Sequence, residues 1–459
     1  MINNLKIHNK NCFLITFKSS SYFFAVTFIF IFSFVRLISD DKPIKSPTEV
    51  RFYRIYGDDN ERLPPVLLLN KPNSVQSNVG SKQLTFEIDI YADVSPSFYA
   101  TFVHCDIDWN EDDNNFINNS GFMRTSDFSW ESAPYSSSFY SQRAKLKFPN
   151  AQVQFKYSGN YKIKIFEYYN DDKPIAEAKF FVIEPLAEMQ IYFNSSFYKS
   201  QFQVSNSAYN IEVRLSAPSN LFNSQLKNVV IYRNNRYSEP YKINEDAFRG
   251  NQNQLYKYTF PTSVIGFSSY EKRFFLNELP AENVYRTLYM ENPAEYPTGN
   301  YAVRMPFSDY VRNGNYLYDD NDGAMITSQI SASEDNYVYL EFILDPAELK
   351  SNEDVFVSGS FNNWNPDIRW LMNWDEKSRL YRLKQWVRRA RHDYLYGTGK
   401  LNIDTKKFEN ISFDYFEGNT VYSNHSIIAF AYYRNMDFGG YDSIIGAIIG
   451  SPLGIGWSR

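Results

Sequence analysis

Leu84-Thr-Phe-Glu-Ile-Asp-Ile-Tyr91 alternates without a break: Leu84, Phe86, Ile88 and Ile90 fall on one side, Thr85, Glu87, Asp89 and Tyr91 on the other. A period of two predicts a strand with one buried face, because successive side chains of an extended chain point to opposite sides. The same period recurs at Tyr161, Ile163 and Ile165, and at Ile211, Val213 and Leu215, with charged residues between. Turn signals separate such runs at Ser158-Gly159-Asn160, Asn170-Asp171-Asp172-Lys173-Pro174, Ala217-Pro218-Ser219-Asn220 and Asp322-Gly323. Gly, Pro, Asn and Asp at this spacing are the punctuation of β-sandwiches. Past residue 48 no long stretch carries an apolar stripe at helical spacing with caps, and 39 Phe and 37 Tyr suit a pleated, half-buried surface. The expected class is all-β.

At 459 residues the chain exceeds what one hydrophobic core supports, a limit of roughly 250 to 300 residues. Three consecutive β-sandwich domains, immunoglobulin-like or early-set-like, fit the length: residues 46–185, 186–330 and 331–459. Ile183-Glu184-Pro185 ends one alternating run and Met189 to Phe193 opens the next. Tyr337 to Leu344, with Val338, Leu340, Phe342 and Leu344 on one face, opens the third, whereas Met290 to Gln329 has no clean pattern. Tyr337 to Leu344 and Ile428 to Tyr433 carry aromatics on both faces, which reads in part as rigid contact surface for a partner.

Residues 1–45 read as a signal peptide or N-terminal anchor. Lys6, Lys10 and Lys18 precede an apolar run from Tyr22 to Val35, closed by Arg36 and the acidic pair Asp40 and Asp41. The run is shorter than the roughly 20 residues that span a bilayer, which favours a cleaved export signal over a retained anchor. If Cys12 leaves with the signal, Cys105 is the remaining thiol and internal disulfides are excluded.

The run Tyr99-Ala-Thr-Phe-Val-His-Cys-Asp-Ile-Asp-Trp109, followed by Leu146-Lys-Phe-Pro-Asn150, Ser158-Gly-Asn-Tyr-Lys-Ile-Lys-Ile165 and Phe180-Phe-Val-Ile-Glu184, resembles the N-terminal domain of the type IX secretion system plug proteins of Bacteroidota. Later markers fall in that family's order: Tyr270-Glu-Lys-Arg-Phe-Phe-Leu276, the Tyr337 to Leu344 strand, Gly359-Ser-Phe-Asn-Asn-Trp364, and Phe416-Glu-Gly-Asn419 leading into a Tyr-rich strand ending at Arg434. The resemblance implies a non-catalytic protein at the periplasmic face of the outer membrane. It would seal the periplasmic opening of the SprA-type outer-membrane translocon barrel by protein–protein contact, with no cofactor, metal or small-molecule substrate. The apolar, glycine-rich Ile444 to Trp457 is a departure that the resemblance does not account for.

A second likeness suggests an alternative function. Val355-Phe-Val-Ser-Gly-Ser-Phe-Asn-Asn-Trp364 and His392-Asp-Tyr-Leu-Tyr396 resemble the early-set glucan-binding modules, in which sugars stack on the tryptophan matching Trp364 and on a second tryptophan after the His-x-Tyr strand, helped by a lysine. Here Leu395 replaces the lysine, and Gly397 to Asn402 holds no tryptophan. Trp364 as a carbohydrate contact is set against the plainer reading that Phe361 and Trp364 brace a turn.

Composition limits the remaining chemistry. With 47 Lys plus Arg against 52 Asp plus Glu the net charge of −5 offers no basic stripe for nucleic acid, and four His with two Cys supply little for a metal cage. His104, Asp106 and Asp108 are spaced to share one face of a strand opposite Val103, Cys105 and Ile107, and run into the acidic tract Asp106 to Asp113. One strand aims at most two ligands at a common point, so the expected reading is a hydrogen-bonded polar face, with Cys105 a core residue. A hydrolase could draw on carboxylates such as Glu111 and Asp112, but nothing in the sequence sets a pair roughly 5 to 9 Å apart across a cleft. Tyr318-Asp-Asp-Asn-Asp-Gly323 fails as a calcium loop because Tyr318 and Gln329 occupy positions that require acids; a hairpin turn at Asp322-Gly323 is expected instead. The basic cluster Arg388-Arg-Ala-Arg-His392 is expected to flank a strand and pair with Asp375-Glu376, or to meet lipid headgroups or the barrel rim.

Overall fold

The alternating stretches are strands. The computed structural model describes residues 48–453 apart from 70, 73, 119–122, 171, 198–206, 222, 247–259, 267–270, 313–321 and 348–349. The segment 1–45, Tyr270, Tyr318 and the last residues of the apolar tail therefore lie outside the described residues. Among those described, almost all regular structure is β, and no helix is long and apolar enough to cross a membrane. From Thr48 onward the chain forms one compact unit.

The first sandwich sets the sheet Glu49–Gly57, Leu84–Tyr91, Gln142–Phe148, Phe128–Ser132, in that spatial order, against Phe98–Cys105, Gly159–Glu167 and Ala176–Ile183. Leu84, Phe86, Ile88 and Ile90 face inward as the alternation requires, and meet Phe102, Phe148, Ile163 and Phe180. Phe148 and Phe180 cross edge to face at 5.1 Å, a geometry aromatic rings favour over a flat sandwich.

Another sandwich has Arg286–Tyr289, Arg391–Asn402, Asp354–Gly359 and Lys407–Ser412 on one side and Val303–Arg304, Asp309–Tyr310, Tyr337–Asp345, Leu380–Arg388 and Asn373–Asp375 on the other. Val338, Leu340, Phe342 and Leu344 supply its core with Phe361, Trp370, Tyr394 and Tyr396. Among the described residues, the patternless stretch before it forms short strands that edge this sandwich, parallel to Tyr337–Asp345.

Between the two lies a layer in which Glu188–Phe197, Ser207–Ser216, Glu271–Pro280 and Thr262–Gly266 pack on Asn228–Arg233, Tyr241–Asn244, Ile427–Asn435 and Tyr441–Gly450. Strand pairing here crosses both expected boundaries. Ile427–Asn435 pairs with Asn228–Arg233, Tyr441–Gly450 reaches Ala176–Ile183 through Ile444 and Ile183, and Arg286–Tyr289 pairs with Arg391–Tyr394. A nine-stranded sheet thereby runs from the middle layer into the first sandwich.

The glycine-rich tail is what permits this. A Cβ on Gly446 would stand 2.8 Å from Met189 Sδ and 3.3 Å from the Ala187 carbonyl. A side chain here would displace the end of Met189 and press on the Ala187 carbonyl, so a glycine eases the close approach of the last strand to its neighbours. Ile445 enters the middle core, while Ile444 joins a separate junction core with Phe181, Tyr232 and Phe430. In that junction Phe181 stacks on Phe430 at 4.3 Å. The linker at Glu184 is tied to the same strand: the Glu184 N–H donates to the Ile444 carbonyl, and those of Leu186 and Ala187 donate to that of Ile445.

Candidate functional site

Burial on Leu84–Tyr91 exceeds what its pattern predicts, because Thr85, Glu87 and Asp89 are buried along with the apolar face. Their partners arrive from residues far away in the chain. Arg388, 3% exposed, forks onto Asp335 with Nε–Oδ1 2.9 Å and Nη2–Oδ2 2.8 Å, and also bonds Glu87. Arg54 donates to Glu87 at 3.0 Å, Arg143 donates to Asp89 at 2.5 Å and to Asp335, and the Tyr337 hydroxyl donates to Asp89 at 2.7 Å. Burial by itself would raise the Glu87 carboxyl, but Arg388, Arg54 and Arg143 hold it well below the usual carboxylate range. For Asp335 burial is likewise overcome by Arg388 and Arg143, which bring it to about 2.

The expected pairing of the basic cluster with Asp375-Glu376 is therefore wrong. Asp375 pairs with Arg382 and Glu376 with Lys350, whereas Arg388 closes a buried ion network between two sandwiches. Arg389 is also buried, giving its guanidinium to the Glu334, Met290 and Tyr296 carbonyls. His392 accepts a hydrogen bond from the Ser360 hydroxyl at Nδ1 and donates from Nε2 to the Arg388 carbonyl, and burial lowers its pKa to about 4.

Trp364 is 1% exposed. Its indole N–H donates to the Gly323 carbonyl at 2.8 Å, its ring lies 4.5 Å from that of Tyr285, and the buried Arg236 guanidinium stands 5.6 Å from the ring centre. A sugar needs an open ring face, and Trp364 has none to give, so its place as a carbohydrate contact is corrected to that of a turn brace packed between layers. Phe361 is buried against Trp370 and Phe342 in the adjacent core. The Asp322-Gly323 stretch is a buried loop, and the residues before it, 313–321, lie outside the described ones. Gly323 has φ +78° and donates its N–H to Asp393 at 3.0 Å, while Asp322 pairs with Arg62 at 3.0 Å, so the loop is clamped from three directions.

Of the polar face proposed at His104, Asp106 and Asp108, only His104 stands in a strand, which ends at Cys105. His104 is buried with Nδ1 against the Asp112 carboxylate and Nε2 3.1 Å from the Ser158 carbonyl. Asp106 instead accepts the N–H groups of Asp108 and Asn110 in a turn, Asp108 pairs with Lys242, and Glu111 with Lys164 at 2.7 Å. The spacing expected to align them fails because the chain turns after Cys105. Cys105 is fully buried in the junction core, and burial pushes its thiol up to about 12. Among the described residues no group of three or more His, Cys, Asp or Glu converges on one point.

What the structure does provide is a cleft of about 600 Å³ where the first and C-terminal sandwiches meet. Arg51 and Tyr53 line it from one side, Asn363, Arg369 and Lys407 from the other, with Phe139 and Trp386 stacked at 4.7 Å along its margin. Sequence reasoning passed over this place and over Glu87, Asp89, Arg54, Arg143 and Asp335. The only trace of the network was acidic residues on the supposedly solvated side of a strand, which ordinarily signifies water.

The family described as Type 9 secretion system plug protein 1st domain matches residues 54–184. No curated protein matches the chain. A crystal structure of a hypothetical protein from Parabacteroides merdae ATCC 43184 is similar with TM-score 0.69 at 18% identity, over 89% of this chain and 100% of that one, which supports the fold. A marsupial T cell receptor aligns at TM-score 0.16 and 10% identity, over 88% of this chain and 99% of that one, and carries no argument. The matched segment is the first sandwich with its buried acidic strand, and it is in this part that the chain is similar to the type 9 secretion system plug family.

Proposed function

We propose that the protein is a non-catalytic plug that sits in the periplasm and seals the periplasmic opening of an SprA-type outer-membrane translocon barrel by protein contact. The observation that carries this reading is the plug-family match over residues 54–184. Physical features agree with it. A seal has to keep its shape against a wide pore, and here the sandwiches share a continuous sheet, a common junction core and a buried ion network. Stiffness of that kind lets a surface form contacts at low entropic cost. A tagged copy drawn from detergent extracts of outer membranes should bring down the translocon barrel, and cells lacking the protein should take up a large, normally excluded dye. Recovery of the tagged protein without the barrel overturns the proposal.

A further inference from the structure

Among the described residues Glu49–Gly57 is the outermost strand of its sheet and pairs on one side only, with Leu84–Tyr91. Backbone direction alternates along a strand, and the Asp58 N–H reaching the Gln83 carbonyl at 2.7 Å fixes which residues face inward. Tyr53, Ile55 and Gly57 consequently turn their N–H and C=O groups away from the sheet. Gly57 donates to the Leu63 carbonyl. The Tyr53 carbonyl accepts the Asn363 side-chain amide at 2.8 Å. For the Tyr53 N–H and for both backbone groups of Ile55, no partner stands among the described residues. An edge strand with these three backbone groups open is a template for a short stretch of another strand.

This edge forms one side of the cleft, and the cleft has an excess of positive charge. Lys179 from the first sandwich and Lys407 from the C-terminal one both line it. Among the described residues neither has a carboxylate within ion-pair distance: Lys407 donates to the Asn365 amide oxygen at 3.1 Å, and the Lys179 ammonium lies 4.8 Å from the Trp109 ring centre. Burial lowers the pKa of both, with Glu177 opposing the shift at Lys179 and Asp367 opposing it at Lys407. Asn363 presents to Tyr53 the donor that an incoming strand's N–H would present. We infer that the cleft receives an extended, acidic peptide segment of a partner protein, added as a strand to Glu49–Gly57 with its carboxylates on Lys179 and Lys407. The inference goes beyond the plug reading and does not depend on it.

The test uses the full chain and a fluorescein-labelled ten-residue peptide alternating Glu with Val, with a Lys-Val peptide as control. Fluorescence polarisation should show binding of the acidic peptide alone. The double variant Lys179→Glu, Lys407→Glu should weaken it at least tenfold with an unchanged melting temperature, and Asn363→Ala should strengthen it. Hydrogen exchange should slow at the Tyr53 and Ile55 amides when the acidic peptide is present. Absence of that protection at millimolar peptide, equal binding of the Lys-Val peptide, or indifference to the charge reversal overturns the inference.

Discussion

Trp364 shows how a single residue's surroundings decide what it does. The Gly-Ser-Phe-Asn-Asn-Trp stretch is equally suited to a sugar platform and to a turn brace, and only the layer packed over the ring, with Tyr285 and the Gly323 carbonyl, separates them. Trp364→Ala should therefore lower the melting temperature, costing about 3 to 5 kcal/mol in unfolding free energy, while retardation on glycogen gels stays the same; the reverse pattern would restore the sugar reading. Arg388 gives a second test at this scale. Arg388→Met leaves Glu87, Asp89 and Asp335 short of a counter-charge where water does not reach, and denaturant titration should record a loss of about 3 to 5 kcal/mol. Replacing Arg382, whose pairs lie nearer the surface, should change stability by about 1 kcal/mol or less.

Asp393 supplies the pH dependence. Burial raises its carboxyl to about 7, with Arg391 opposing and Asp322 adding to the rise. In the unfolded chain it titrates near 4, at about the value of a free Asp. Between those values the folded state holds a proton that the unfolded state lacks, so this group's contribution to stability falls as pH rises, by at most about 1.4 kcal/mol per unit. The advantage of Asp393→Asn over the parent in melting temperature should thus grow from pH 5 to pH 8. Parallel curves for the two proteins would refute the assignment.

At the scale of elements, the strands with aromatics on both faces are the instructive ones. Tyr337 was expected to belong to a surface offered to a partner, yet it is buried against Phe139 and Tyr140 of the first sandwich. Ile428, Phe430 and Tyr432 fill the junction core while Ile427, Ala429 and Ala431 fill the middle one. Two-sided apolar patterning here marks a strand between two cores of its own chain. The final strand is the extreme case, and its glycines are the means. Gly446→Val would push a branched side chain into Met189 and the Ala187 carbonyl, so a loss of about 1 to 3 kcal/mol should appear on thermal or chemical unfolding.

For the whole molecule, the consequence is cooperativity. A β-sandwich joined to its neighbours by short linkers could unfold alone, but here the strand Tyr441–Gly450 pairs within the middle layer and hydrogen-bonds the linker after the first sandwich. Calorimetry should show a single transition. A chain ending at Asn435 should expose parts of both the junction and middle cores, and aggregate or unfold at a clearly lower temperature; two well-separated transitions in the intact chain would contradict this coupling.

Local pattern was enough for the strands, the all-β class, the first sandwich and its family likeness, because a period of two and turn chemistry are properties of neighbouring residues. Leu84–Tyr91 and Tyr337–Asp345 could both be placed from sequence. Where their second faces went could not. Glu87 and Asp89 resemble a solvated face until Arg54, Arg143 and Arg388 are brought to them, and Gly446 resembles a loose tail until Ala187 is seen against it. Ion pairing and close approach across hundreds of residues depend on which layers meet. That choice is made by the packing of whole sheets, and no single stretch of the chain records it.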